Sequence, residues 1–189
     1  MGQVCTSTSR IFVQDTVYEE FLNRLVQYTK ESTIMGSPFD PQVTHGPQIS
    51  QVQQKKILDY VDIAKSEGAE LVLGGYAPSG SGFFVYPTIF TSVRNSMRVA
   101  QEEIFGPFVV IQKFCTEKEV IEKANDTEYG LGAAVFTTNI TAGHRMAAAI
   151  EAGMVWVRKP QVSLPLSCKP LKESWRREVN QPTNRFSPL

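Results

Sequence analysis

The sequence predicts an α/β fold, in which helices flank a mostly parallel sheet and an irregular C-terminal tail follows. Short runs of β-branched and aromatic residues alternate with segments whose apolar residues recur at helical spacing. The tail, residues 158–189, contains five prolines and no sustained helical or alternating pattern. Proline at that density removes backbone donors and forbids long regular elements. We therefore interpret residues 2–157 as one domain and residues 158–189 as an atypical, irregular or disordered tail.

The first half of the domain is predicted to contain two helices between short strands. A strand over residues 10–14 precedes a helix from about Thr16 to Lys30, where Thr16 and Glu19 have the spacing of a capping box. Its inward face is predicted to carry Val17, Phe21, Leu22, Leu25 and Val26. After a loop over residues 36–48, a second helix is expected to end at Gly68. Its inward residues are Ile57, Tyr60, Val61 and Ala64.

The second half continues the alternation. We expect strands over residues 71–73, 83–90 (interrupted by Pro87) and 108–114. Thr116 and Glu119 form a second capping box that opens a helix through about Ala124. A strand over residues 131–137, a helix over 141–152 and a strand over 154–157 complete the domain.

Composition excludes several classes of function. Lys plus Arg equals Asp plus Glu at 19 each, so no net field recruits nucleic acid or an anionic membrane. No apolar run approaches the roughly 18 residues that a membrane span needs, and no secretory leader follows Met1. The three cysteines show no paired spacing that indicates a metal site or disulfides. We therefore expect a cytoplasmic protein without a bound metal.

Cys5 is the strongest candidate for a catalytic residue. It lies in a polar turn that Gly2 opens and that leads directly into the strand Ile11-Phe12-Val13. A lone cysteine is more often a small buried apolar residue. Here the polar neighbours and the strand that fixes the loop favour a reactive thiol instead.

The second candidate is the segment Gln101-Glu102-Glu103-Ile104-Phe105-Gly106-Pro107. A carboxylate next to an aromatic ring can bind a ribose diol while the ring packs on a flat base. The alternative is a helix end with solvated acids and a core phenylalanine. Gly130-Leu131-Gly132 is a poor match to a dinucleotide-binding fingerprint because it lacks the third glycine.

These two segments resemble signatures of the aldehyde dehydrogenase family. Gly2 to Arg10 is similar to its active-site cysteine segment, and residues 102–107 are similar to its Glu-Glu-Ile-Phe-Gly-Pro motif. Further similar blocks lie between and after these two segments in the family's order, including Pro87-Thr-Ile89, Ala124 to Leu131 and Gly153-Met-Val-Trp-Val157. The resemblance covers residues 2–157 and implies the family's catalytic-domain fold.

The resemblance implies oxidation of an aldehyde to a carboxylic acid with NAD or NADP through a cysteine thiohemiacetal and a thioester. Cys5 is then the catalytic nucleophile, and its backbone N–H contributes to an oxyanion hole. The resemblance further implies that Glu103 and Phe105 bind the cofactor, with Glu103 on the nicotinamide ribose and Phe105 beside the nicotinamide. The expected partner is a small aldehyde substrate. The family forms homo-oligomers, and the sequence leaves the oligomeric state of this chain open.

The family's general-base glutamate, oxyanion-hole asparagine and glycine-bearing cofactor motif precede the cysteine segment and match no residue of this sequence. We therefore expect a C-terminal fragment that alone is weakly active or inactive. Two alternatives stay open, a residual cysteine esterase and a non-catalytic fragment. The sequence does not distinguish NAD from NADP or identify the aldehyde.

Overall fold

A computed structural model of the chain describes residues 1–80 and 82–158. The predicted tail, which includes Cys168, lies outside the described residues apart from Arg158. In the part of the chain that is described, no helix is long and apolar enough to cross a membrane.

The described residues form six strands and five α-helices in mostly alternating order. The strands are β1 (Arg10–Gln14), β2 (Glu70–Leu73), β3 (Thr88–Thr91), β4 (Phe108–Phe114), β5 (Gly132–Phe136) and β6 (Met154–Arg158). The helices are α1 (Tyr18–Ser32), α2 (Gln51–Ser66), α3 (Arg98–Gln101), α4 (Glu117–Asn125) and α5 (Ile140–Ala149). A short 3-10 turn, Asp15–Val17, precedes α1.

The strands are divided between two sheets. The larger has the order β1-β4-β3-β2, and the smaller pairs β5 with β6. β4 pairs in parallel with β1 and β3, β5 pairs in parallel with β6, and only β2 is antiparallel to its neighbour. The predicted α/β class with a mostly parallel sheet is thereby confirmed.

Helices cover both faces of the larger sheet because residues along β4 alternate between two cores. Val110 packs with α2, where Ile57, Val61 and Ala64 are buried as predicted. Ile111, the next residue, packs with α1 on the opposite face. Burying one such side chain stabilises the fold by roughly 1.5–3 kcal/mol. The two cores therefore hold β4 rigidly, and the segment that precedes β4 is attached to this rigid strand.

Two details of the prediction are wrong. Thr16 does not cap α1, because residues 15–17 turn as a 3-10 helix in which the Thr16 N–H donates to the Asp15 carboxylate at 2.7 Å. The helix begins two residues later, and Val17 is exposed instead of facing the core. By contrast, the capping box at Thr116 is confirmed, since its hydroxyl accepts from the Glu119 N–H at 3.2 Å.

The strand predicted over residues 83–90 is also shorter than expected. Only Thr88–Thr91 pairs as a strand. Before Pro87 the backbone forms hydrogen bonds with loops instead of with a strand. The Tyr86 N–H donates to the Tyr76 carbonyl, and the Phe83 carbonyl accepts from the Gln48 N–H. Proline has no N–H for a sheet ladder, so the pairing begins only after it.

Candidate active site

The two candidate segments lie next to each other at the amino ends of β1 and β4. The cysteine segment ends where the Ser9 carbonyl accepts from the Val110 N–H at 3.0 Å, and β1 begins at the next residue. The segment around Glu103 runs directly into β4. Because β1 and β4 are parallel neighbours, the loops before them meet at one edge of the sheet.

Cys5 sits in a tight, exposed turn. The turn closes through a hydrogen bond of 2.9 Å from the Ser7 N–H to the Val4 carbonyl, and Cys5 itself is exposed. The thiol is therefore accessible to a reagent or a substrate. The other free cysteine among the described residues, Cys115, is also exposed and lies just after the opposite end of β4. A hydrogen bond to Asp15 and its charge raise the pKa of Cys115, so this thiol is a weaker nucleophile at neutral pH.

Two glycines bring the candidate segments into contact. Gly2 has a φ of 72°, and a Cβ added to it would lie 2.0 Å from the Gly106 carbonyl oxygen. Gly106 in turn leaves no room for a side chain, since its Cβ would lie 2.3 Å from Ile57 Cδ1 on α2. The cysteine segment and the Glu103 segment are thus in contact backbone on backbone at Gly2, where only glycine fits, and the Ile57 side chain of α2 packs against Gly106.

Residues 45–49 hold the cysteine segment from the other side. The Ile49 N–H donates to the Gln3 side-chain oxygen at 3.0 Å. Nearby, His45 is buried, with Nε2 3.1 Å from the Val85 carbonyl oxygen. Burial lowers the pKa of His45 below its ordinary value, and the Val85 carbonyl partly opposes this shift. His45 is therefore a neutral side chain that ties residues 45–49 to Val85.

Side chains of α2 fix the backbone of the Glu103 segment. The Lys56 ammonium donates to the Glu103 carbonyl at 2.9 Å. The Gln53 amide donates to the carbonyls of Ile104 and Phe105, each at 2.9 Å. Phe105 has a φ of 61°, a left-handed conformation that costs a non-glycine residue about 1–2 kcal/mol. These three bonds hold Phe105 in a conformation that it would not adopt alone.

The two adjacent carboxylates have different environments. Glu102 accepts from the Arg98 guanidinium at 2.7 and 2.9 Å and from the Tyr60 hydroxyl. The Arg98 hydrogen bonds lower the pKa of Glu102, while burial and the bond to Glu102 raise the pKa of Tyr60 to about 12. Glu102 is thus engaged by α2 and α3.

A pocket lies between the segments. It is lined by Gly2, residues 7–10, residues 99–106, Phe108 and Tyr129. Glu103 and Phe105 therefore share one pocket with the residues that follow Cys5. Cys5 itself is not among the lining residues, although Ser7, which closes its turn, is. No group of three or more metal-binding side chains occurs in the described part of the chain.

Arg10 lines the pocket, although the sequence predicts it only as the end of the cysteine segment. Its guanidinium donates to the carbonyls of Lys123 and Ala124 in the last turn of α4, at 3.1 and 2.9 Å. Burial lowers the pKa of Arg10 to about 10, against the opposing charge of Asp126. Cations at a helix C-terminus are stabilised by the helix dipole. Arg10 therefore ties the cysteine segment to α4.

Lys56, Gln53 and Tyr129 also support the site, and the sequence did not identify them. Lys56 has Asp59 three residues later and Tyr60 four residues later, and its ammonium lies 5.9 Å from the centroid of the Tyr60 ring. The contacts of these three side chains with residues 103–105 leave no periodic pattern in the sequence.

Two residues of the pocket could hold the nicotinamide–ribose end of a nucleotide by their chemistry. A carboxylate such as that of Glu103 accepts hydrogen bonds from a ribose diol, and the half-buried ring of Phe105 offers a flat apolar surface. The backbones of both residues are held by side chains of α2. Nothing in residues 1–80 and 82–158 resembles a glycine-rich phosphate loop, so this match of chemistry concerns the nicotinamide–ribose end alone.

Comparison with known proteins gives one consistent family. The profile of the aldehyde dehydrogenase family matches residues 1–174. An aldehyde dehydrogenase of Enchytraeus buchholzi is 54% identical over 157 residues, which cover 83% of this chain and 31% of that protein. Human retinaldehyde dehydrogenase 3 is 49% identical over 156 residues, covering 82% and 30% respectively.

Solved structures give the same result. Betaine aldehyde dehydrogenase from Staphylococcus aureus in complex with NAD+ matches with a TM-score of 0.82 and 38% identity, over 92% of this chain and 35% of that one. An aldehyde dehydrogenase from Bacillus cereus in complex with NAD+ matches with the same values. The chain thus spans about a third of the length of the relatives that it matches.

Proposed function

This chain belongs to the aldehyde dehydrogenase family, and we propose that it supplies the nucleophile and the nicotinamide–ribose end of an aldehyde-oxidising site. The observation that carries the proposal is the contact between Gly2 and Gly106, which stacks the Cys5 segment on the Glu103 segment beside one pocket. This contact makes the two segments neighbours, and a hydride-transfer reaction needs its nucleophile and its nucleotide site close together.

In the proposed reaction the Cys5 thiolate attacks the aldehyde carbonyl carbon. A C–S bond forms, and the carbonyl oxygen becomes an alkoxide that the Cys5 backbone N–H helps to stabilise. Loss of hydride from this thiohemiacetal restores the C=O bond and leaves a thioester on Cys5. Water then attacks the thioester, the C–S bond breaks, and the carboxylic acid leaves while Cys5 returns as a thiol.

The cofactor of the proposed reaction is NAD or NADP. When bound, its nicotinamide accepts the hydride that the substrate carbon loses. Glu103 would hold the ribose hydroxyls, and Phe105 would pack beside the nicotinamide. Two relatives of this chain have been solved with NAD+, which favours this class of cofactor here.

The substrate is proposed to be a small aldehyde. The names of the relatives include retinaldehyde and betaine aldehyde dehydrogenases, which differ greatly in the size and charge of their substrates. A cysteine of the S. aureus enzyme is modified by BME in three of its structures, so a reactive cysteine occurs in this family. The aldehyde class, and no single aldehyde, therefore comes to this chain from the comparison.

We expect the 189-residue chain alone to turn over slowly or not at all. The general base and the oxyanion asparagine that the family resemblance implies match none of its residues. Each such group is typically worth about two or more orders of magnitude in rate. The Cys5 thiol, by contrast, is present and exposed, so its chemistry can be measured directly.

The test measures NADH formation and thiol modification on the same purified chain. With propanal and NAD+ or NADP+, we expect little or no reduced cofactor, whereas iodoacetamide alkylates Cys5 as identified by peptide mapping. Cys5→Ser abolishes this modification, and Cys115→Ser is the matched control that preserves it. Robust NADH production that persists in Cys5→Ser would contradict the assigned nucleophile.

A further inference from the structure

Residues 123–129, which comprise the last residues of α4 and the turn that follows it, contact both candidate segments. We call this segment the bridging turn. On one side Arg10 donates to its Lys123 and Ala124 carbonyls. On the other side the Gln101 amide donates to its Asp126 carbonyl at 3.0 Å. The bridging turn therefore links the segment that carries Cys5 to the segment that carries Glu103.

Tyr129 ends the bridging turn and reaches Glu103 itself. The Glu103 backbone N–H donates to the Tyr129 hydroxyl oxygen at 3.3 Å, and Tyr129 lines the same pocket as Glu103. The residue is held in place locally, because its own N–H donates to the Thr127 hydroxyl at 3.3 Å. Just beyond it, the Gly130 carbonyl accepts from the Gly153 N–H at 2.7 Å. The hydroxyl is thus positioned by the turn and by the residues that lead into the smaller sheet.

The contact from Tyr129 differs in kind from the others at this segment. The bonds from Lys56 and Gln53 hold carbonyl oxygens of residues 103–105 from α2. Tyr129 holds an N–H, that of the peptide plane that enters Glu103. A peptide plane held at its N–H and a next plane held at its carbonyl fix both backbone dihedrals of Glu103. The direction of the Glu103 side chain depends on both.

We propose that Tyr129 is a positioning residue whose hydroxyl orients Glu103 for the ribose of the nicotinamide nucleotide. This inference rests on the proposed function of Glu103. It assigns a role in ligand binding to the bridging turn, which contributes no residue of the two family motifs. Loss of one net hydrogen bond predicts a ligand affinity lowered by roughly threefold to tenfold.

The experiment uses nicotinamide mononucleotide, which contains only the end of the cofactor that this pocket fits. Alkylation of Cys5 by iodoacetamide is followed by peptide mapping at increasing concentrations of the nucleotide, and the half-protecting concentration is recorded. Tyr129→Phe retains the ring and removes the hydroxyl. Tyr28→Phe, on the exposed face of α1, is the matched control. Hydrogen–deuterium exchange of the Glu103 amide is measured on the same proteins without nucleotide.

We expect Tyr129→Phe to raise the half-protecting concentration roughly threefold to tenfold and to speed exchange at Glu103. In the control Tyr28→Phe, we expect no change in the half-protecting concentration, in the exchange at Glu103 or in the alkylation rate without nucleotide. If Glu103→Gln weakens protection but Tyr129→Phe changes neither protection nor exchange, the inference is wrong and the proposed function stands. If Glu103→Gln leaves protection intact, or the unmodified chain shows none, the cofactor role of Glu103 fails and the inference fails with it.

Discussion

Replacing Gly2 with alanine tests the contact on which the site depends. The new Cβ would lie 2.0 Å from the Gly106 oxygen and 2.7 Å from the Pro107 nitrogen, so backbone atoms would have to move apart. Two costs add. A non-glycine residue at a φ of 72° costs about 1–2 kcal/mol, and overpacking costs about 1–3 kcal/mol. Gly2→Ala should therefore destabilise the docked segment by about 2–5 kcal/mol.

Gly68→Ala separates the two costs. Gly68 has a φ of 92°, but nothing lies within 4 Å of the position of its added Cβ. This variant therefore reports the dihedral cost alone, about 1–2 kcal/mol. The excess in Gly2→Ala measures the clash with the Glu103 segment.

The assay combines urea denaturation with hydrogen–deuterium exchange. The informative amide is that of Ile49, which donates to the Gln3 side chain and becomes exposed if the cysteine segment undocks. We expect fast exchange at Ile49 in Gly2→Ala and slow exchange in Gly68→Ala. Because local undocking can precede global unfolding, the exchange change can exceed the change in global stability. Equal effects of the two variants on stability and exchange would refute the stacked arrangement.

Three further perturbations follow from the titrations and contacts of the site. Because the pKa of Tyr60 is raised to about 12, the folded state keeps a proton that the unfolded state loses above its ordinary value of 10.0. The free energy of unfolding should thus fall as pH rises from 10 to 12, and Tyr60→Phe should flatten this slope in alkaline urea titrations. The pKa of His45 is lowered from 6.5, so the unfolded state binds more protons than the folded state as pH falls below 6.5. The free energy of unfolding should therefore decline below pH 6.5, and His45→Gln should remove this decline. Arg10→Met removes two charged hydrogen bonds to α4 and should cost about 2–3 kcal/mol in urea denaturation, whereas Arg24→Met breaks only an exposed pair and should cost less than about 1 kcal/mol.

The elements of the fold were predictable where the local sequence pattern alone determines where a strand or helix begins and ends. β4 follows the predicted range of 108–114, because a run of β-branched and aromatic residues there is bounded by Gly106-Pro107 and by the Thr116 cap. The pattern failed where local chemistry competed. At Thr16 the Asp15 carboxylate took the backbone donor of the expected cap, and the start of the helix moved.

The sequence motifs identified the segments of the candidate site, but not the contacts that hold those segments in place. The motifs gave Cys5, Glu103 and Phe105. That their segments share a pocket depends on the parallel pairing of β1 with β4, which a single sequence does not specify. Tyr129 lies 26 residues after Glu103 in the sequence, and the hydrogen bond between them leaves no periodic signal in the sequence.

The most direct test of the central claim is the position of the acyl group after reaction with 4-nitrophenyl acetate. Acylation forms on Cys5 the same kind of thioester that the proposed oxidation passes through, and it requires no cofactor. Peptide mapping of the purified chain should find the acetyl group on Cys5, with none in Cys5→Ser and an unchanged yield in Cys115→Ser. An acetyl group found chiefly on Cys115, or equal labelling in Cys5→Ser, would contradict the claim that Cys5 is the nucleophile.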